Sequence, residues 1–210
     1  MRHAEVSYVG ERDPETVLLT ERGRAQAAAA HAVLAGVEFD VVVTSTLPRT
    51  VETAGVVAPG HAPSQWADFA EWRGGRLDDV PPDELEAFFV GSLHARDEDA
   101  RFLGGESLGE ALDRVLPAFD RLVAEEWETA LAVFHGGINR ILVSHALAGG
   151  RMYFGNFEQA PACINVLDLG PAGWVVRTVN YIPYDPLHPA RTTTMEHLWS
   201  ELKTWLDERT

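Results

Sequence analysis

Cysteine is nearly missing from this sequence: Cys163 stands alone among 210 residues. A lone thiol excludes an internal disulfide framework and fits a reducing cytosol. Because Cys163 lies in the apolar run 162–169, it reads as a small buried hydrophobe. Long apolar runs are missing as well. No stretch approaches the ~20 residues needed to span a bilayer, and no signal peptide precedes Arg2, so a cytoplasmic protein away from membranes is expected. Positive charge is scarce, with 17 Lys and Arg against 32 Asp and Glu and a net charge of −15. That balance argues against nucleic acid and anionic lipid as partners, since both demand a basic footprint. Of the 17 basic residues 16 are arginine, the side chain better suited to bidentate contact with phosphate. Repeats, low-complexity linkers and charged blocks are also lacking. The chain, 46% hydrophobic, therefore reads as a single domain over residues 1–210, expected as a monomer or homodimer.

What the chain does hold is an alternation of strand-like and helix-like segments. Thr20 caps an alanine-rich helix that ends at about Leu34. Residues 39–44 form a β-branched run typical of a buried parallel strand, and 47–57 read as a helix stopping before Pro59-Gly60. Ser107-Leu108-Gly109-Glu110 is a capping box opening a helix with Leu108, Leu112, Val115, Phe119 and Leu122 on one face, kinked at Pro117. A strand over 130–135, a helix over 137–148, and strands over 164–169 and 174–182 follow. Thr193-Thr194-Met195-Glu196 is a second capping box, starting a C-terminal helix with Met195, Leu198, Trp199, Leu202, Trp205 and Leu206 inward. This alternation predicts an α/β fold, a three-layer α/β/α sandwich around a mainly parallel central sheet. Residues 59–105, with weak periodicity and many turn signals, are expected to form a small cap insertion over the site.

Three strand-to-helix junctions carry the chemistry. Arg2-His3-Ala4-Glu5 and Phe134-His135-Gly136-Gly137 each place a histidine at a strand end before small residues, and Thr44 to Arg49 adds a second arginine. Open α/β sheets bind ligands outside the carboxyl ends of their strands. Two imidazoles and two guanidiniums there make a pocket for a small dianion. After His135, Gly136 and Gly137 permit close approach, and the helix N-terminus that follows offers N–H groups to an anion. The remaining histidines, His31, His61, His94, His145, His188 and His197, lack metal-ligand spacing, so no metal is expected.

In this order the motifs resemble the phosphatase branch of the histidine phosphatase (phosphoglycerate mutase-like) superfamily, through most of the chain. The resemblance implies a metal-independent phosphomonoesterase that needs no cofactor and acts on a small phosphorylated metabolite. On its terms His3 is the nucleophile that carries the phosphoryl group, and Arg2, Arg49, His135 and Gly136 bind phosphate. Glu71 aligns with the family's general acid, making His3, Glu71 and His135 the catalytic set. Glu106 also matches a family stretch, although a carboxylate beside a helix N-terminus explains it better. A cofactor-dependent mutase and a non-catalytic phosphate-binding protein share the same set of residues and stand as alternatives.

Several positions depart from the family pattern. Ala4 replaces a glycine, Val9 an asparagine, and Leu77, Asp78 and Asp79 a tryptophan, glutamate and glycine. Residues 7–15, with Arg12, would then form a distinct binding loop or plain surface, and the proline-stiffened loop 184–191 is a candidate lid. Nearly all of the strand that precedes the arginine-histidine pair in the family is missing before Met1, which favours a start placed further upstream.

Overall fold

In a computed structural model the described residues are 1–8, 13–91, 97–188 and 192–208. The sequence expectations that fall on Val9, Arg12, His94 and residues 189–191 lie outside them, and so does the side chain of Asp78. The elements are α1 (Glu21–Leu34), β1 (Val41–Thr44), α2 (Pro48–Val57), β2 (Ser64–Gln65), α3 (Leu85–Gly91), α4 (Leu108–Val123), β3 (Ala130–Val133), α5 (Gly136–Ala148), β4 (Ile164–Gly170), β5 (Gly173–Tyr181) and α6 (Thr194–Asp207). Strands and helices alternate from α1 to β2 and again from α4 to β4.

The central sheet is parallel, in the order β2-β1-β3, with Val41 opposite Ala130 and Thr44 opposite Val133. Met1 to Ala4 extend it beyond β3: Phe134 N donates to Met1 O (2.9 Å) and His3 N to Phe134 O (2.8 Å). On its other side this segment bonds to the turn before β4, where Arg2 N donates to Cys163 O and Ala162 N to His3 O, both 3.1 Å. The short N-terminal segment thus joins the parallel sheet to the antiparallel β4–β5 hairpin. Backbone groups beside His3, which a missing strand would orphan, are paired.

Period-two alternation sends successive strand residues to opposite layers. Val43 and Phe134 enter the core under α4 and α5, whereas Val42 and Val133 enter the one under α1 and α2. Phe134 is fully buried and stacks on Phe69 with ring centroids 4.3 Å apart. Losing a buried phenylalanine costs about 3–5 kcal/mol, so this stack fixes the strand end that carries His135. Both capping boxes form, at Ser107 and at Thr193, and α4 runs through Pro117 as one element.

Two expectations need correction. β2 pairs with β1, so residues 64–65 belong to the sheet edge and the irregular part of 59–105 begins after them. α6 does not turn an apolar face into the main core. None of its residues is buried, Leu206 is exposed, and Trp199 packs instead on Val80, Leu85 and Leu103 beside α3. Among the described residues no helix is long and apolar enough to cross a membrane.

Candidate active site

His3 follows the bridge residue Arg2, His135 follows Phe134, and Ser45 follows β1, so all three reach the carboxyl edge of the parallel sheet. The His3 and His135 rings stand 5.2 Å apart, centroid to centroid, at 65°. His3 Nδ1 lies 2.7 Å from Ala4 O. A carbonyl can only accept, so Nδ1 carries the proton, and the Nε2 lone pair of neutral His3 has no hydrogen-bond partner among the described residues. Burial, then the Arg2 and Arg49 guanidiniums, push the His3 imidazole well below its ordinary pKa. His135 is lowered in the same way, first by burial and then by His3, Arg49 and Arg2. Both rings are therefore neutral at pH 7, which suits an attacking nitrogen.

Both arginines are buried and tethered at one nitrogen. Arg2 Nη1 donates to Gln159 O (2.5 Å), and Arg49 Nη1 to Pro14 O (3.0 Å). Arg2 Nε, Arg49 Nε and His135 Nδ1 have no hydrogen-bond partner among the described residues, although each is enclosed. Burying such a donor unpaired costs about 1–3 kcal/mol. Three of them stand on three separate elements near the His3 ring, whose pKa both guanidiniums lower.

His135 Nε2 is 2.8 Å from Ser45 Oγ, which also accepts from Leu47 N at 3.2 Å. Ser45 went unnoticed in the sequence; a hydroxyl directly after a buried strand and before the arginine-bearing turn was the available signal. Tyr8 and Arg140 were missed too. The Arg49 guanidinium lies over the Tyr8 ring, 5.9 Å from its centroid. Arg140 is buried on α5 and donates from Nε to Phe157 O (3.0 Å). Its i,i+4 spacing from Gly136 puts its Nη1 within 3.3 Å of where a Gly136 Cβ would sit, while Arg2 Nε would be 3.6 Å away. Gly136 is thus the gap through which two guanidiniums approach one backbone.

Glu71 reaches the same helix end. Its Oε1 accepts from Trp72 N (2.9 Å) and Gly137 N (3.1 Å), and among the described residues Oε2 has one contact, 3.4 Å to Gly137 N. A Cβ at Gly137 would lie 2.7 Å from Oε1. The first turn of α5 therefore receives the protein's own carboxylate at Gly137, where the sequence suggested an N–H open to phosphate.

Glu106 does other work. Its carboxylate takes a fork from Arg114 (2.8 and 2.7 Å) and accepts from Arg73 N at 3.1 Å. Partial burial pushes its pKa up, but these hydrogen bonds outweigh it and hold the carboxyl below the usual range. Arg114 Nη1 donates onward to Asp68 O (2.6 Å) and Ala70 O (3.0 Å), pinning the segment that carries Glu71. Thr20 caps α1 through Gly23 N and donates to Glu5. Among the described residues no group of three or more His, Cys, Asp or Glu is placed to hold a metal ion.

Several known proteins are similar to this chain. A 2-carboxy-D-arabinitol-1-phosphatase of Triticum aestivum is 26% identical over 161 residues, covering 73% of this chain and 32% of that protein. The chain thus spans about a third of the length of the curated relatives it matches. Among solved structures, the α-ribazole phosphatase of Shigella flexneri superposes with a TM-score of 0.67 at 22% identity, over 86% of this chain and 94% of that one. A phosphoserine phosphatase of Entamoeba histolytica gives 0.65 at 19% identity, over 90% and 96%. Both show the same fold. The profile of the histidine phosphatase superfamily (branch 1) matches residues 1–182, and the chain belongs to that superfamily.

Proposed function

We propose that this protein is a phosphomonoesterase that needs no metal and hydrolyses a small phosphorylated metabolite through phospho-His3. The observation that carries this reading is a set of buried donors without a partner among the described residues, Arg2 Nε, Arg49 Nε and His135 Nδ1, beside a neutral imidazole whose Nε2 likewise has none there. Such preorganised donors stabilise charge on the equatorial oxygens as the phosphoryl group transfers. Relatives named as phosphatases support the same reaction type, and their names differ in the alcohol released.

In the first step His3 Nε2 attacks phosphorus and the P–O ester bond breaks. Glu71 Oε2 delivers a proton to the departing alkoxide. Water then attacks the phosphoryl group, losing its proton to the Glu71 carboxylate, and the N–P bond returns its electron pair to Nε2. A Ser45 hydroxyl donating to His135 Nε2 keeps the proton of that ring on Nδ1, directed at the phosphoryl oxygens.

Turnover of p-nitrophenyl phosphate in excess chelator, with a quench for protein-bound label, tests this proposal. The expected label is labile in acid, stable in base and absent from His3→Ala, which loses at least ~10³-fold in kcat. Activity that vanishes in chelator and returns with a divalent ion contradicts it.

A further inference from the structure

α6 lies beyond the family match, which ends at residue 182, yet it lines a cavity together with His3 and Arg2. Thr194, His197, Leu198 and Glu201 all line that cavity. Their i, i+3, i+4, i+7 spacing makes one stripe of the helix. Trp199, off this stripe, stacks near Phe89 of α3 with ring centroids 6.0 Å apart. Thr194 Oγ1 donates to Glu158 Oε1 (2.7 Å), beside Gln159, whose carbonyl tethers Arg2. The helix is thereby docked on the segment that positions a phosphate clamp.

Resting on the phosphatase reading above, we infer that this stripe is the wall that selects the alcohol half of the substrate, with Glu201 as its specificity-determining charge. Two carboxylates line the cavity, Glu5 and Glu201. Glu5 is already answered, accepting from Thr20 Oγ1 at 3.0 Å and lying 3.3 Å from Arg22. Glu201 meets only the His197 imidazole, 3.5 Å away, among the described residues. No arginine or lysine among the described residues pairs with Glu201, so its carboxylate faces the cationic floor of the cavity with that imidazole as its one neighbour. The floor accepts a phosphate dianion; the wall repels a second anion. The substrate class is a phosphomonoester whose alcohol is hydroxylated or aminated and carries no carboxylate or second phosphate.

Glycerol 3-phosphate and 3-phosphoglycerate form a matched pair of probes. Both release a primary alcohol, and they differ in a hydroxymethyl against a carboxylate. The ratio of their kcat/KM values is expected to favour glycerol 3-phosphate by about tenfold in the wild-type protein, to fall about threefold in Glu201→Gln, and to approach unity or reverse in Glu201→Lys. A wild-type preference for 3-phosphoglycerate, or a ratio equal in wild type and Glu201→Gln, overturns the inference. The glutamine variant keeps the test open if the lysine variant does not fold. Wild-type hydrolysis of p-nitrophenyl phosphate is read in parallel: without it the phosphatase reading itself fails, whereas an unchanged ratio in an active enzyme removes only the role of Glu201.

Discussion

His3 sits on backbone hydrogen-bonded to Phe134 on one side and to Ala162 on the other. Glu71 sits on a segment whose carbonyls at Asp68 and Ala70 are held by one guanidinium, that of Arg114. The floor of the site is thus part of a cooperative ladder, while the Glu71 segment is held mainly through side chains: the Arg114 guanidinium, the Trp72 indole on Glu106 O and the Phe69 stack. A floor residue keeps its place unless the sheet itself opens. The Glu71 segment should loosen when the Glu106–Arg114 pair is removed. In physical terms the phosphate chemistry belongs to the fold, and the acid and the alcohol selectivity belong to attachments that can be changed one at a time.

Gly137→Ala breaks the wall with the smallest change and the largest expected effect. The added Cβ, 2.7 Å from Glu71 Oε1, drives the carboxylate off the α5 terminus. Loss of general acid catalysis is typically worth about 10²–10⁴-fold, so turnover of an alkyl phosphate should fall by about that factor. A nitrophenyl ester, which leaves unaided, should lose less than about tenfold. Glu71→Gln should reproduce this split. Because alanine favours helix over glycine by about 1 kcal/mol, Gly137→Ala should unfold no more easily than wild type in urea. Equal losses on both esters would remove Glu71 from the role of acid.

Glu106→Gln tests the anchor. The Glu106–Arg114 pair is mostly shielded, with side chains 10% and 13% exposed. Removing one partner of such a pair should cost about 2–4 kcal/mol in chemical unfolding. Activity should fall through Glu71, so the alkyl substrate should suffer more than the nitrophenyl one. A stable variant with unchanged ester selectivity would mean that the wall has another support.

The floor predicts the mildest effect, a pH dependence. His3 and His135 are held below their ordinary pKa of 6.5 in the folded protein and regain it on unfolding. Below pH 6.5 the unfolded chain therefore binds more protons than the native one, and stability falls as pH drops; above it these groups contribute no slope. Two such histidines give at most about 2.7 kcal/mol per pH unit. His3→Asn should lower the slope measured between pH 6.5 and 5.5 by up to about 1.4 kcal/mol per pH unit. An unchanged slope would mean that His3 is not kept neutral by the fold.

The elements visible in the sequence were those with local causes. The hydroxyl-glutamate spacing at Ser107 and Thr193 specifies capping boxes, and the run 41–44 is β-branched enough to need two buried faces. The strand-end histidines were readable because small residues follow them. What escaped depends on partners distant in sequence. Nothing near Gly137 announces that residue 71 will occupy its N–H, and nothing near Glu106 names Arg114. The apolar residues of α6 suggested a core helix, but a stripe at 194, 197, 198 and 201 turned toward His3 is a tertiary fact. The loop 184–191 was only one candidate lid; its described residues, 184–188, are not among those that line that cavity, whereas residues of α6 are.

The most direct measurement asks which nitrogen carries the phosphoryl group. His3 Nδ1 is committed to Ala4 O, so only Nε2 can attack without breaking that bond. Trapping the intermediate under base and determining its isomer by phosphorus NMR of the phosphopeptide should give phosphohistidine at His3, on Nε2. Phosphate on Nδ1, on His135, or on any serine or aspartate would contradict the account.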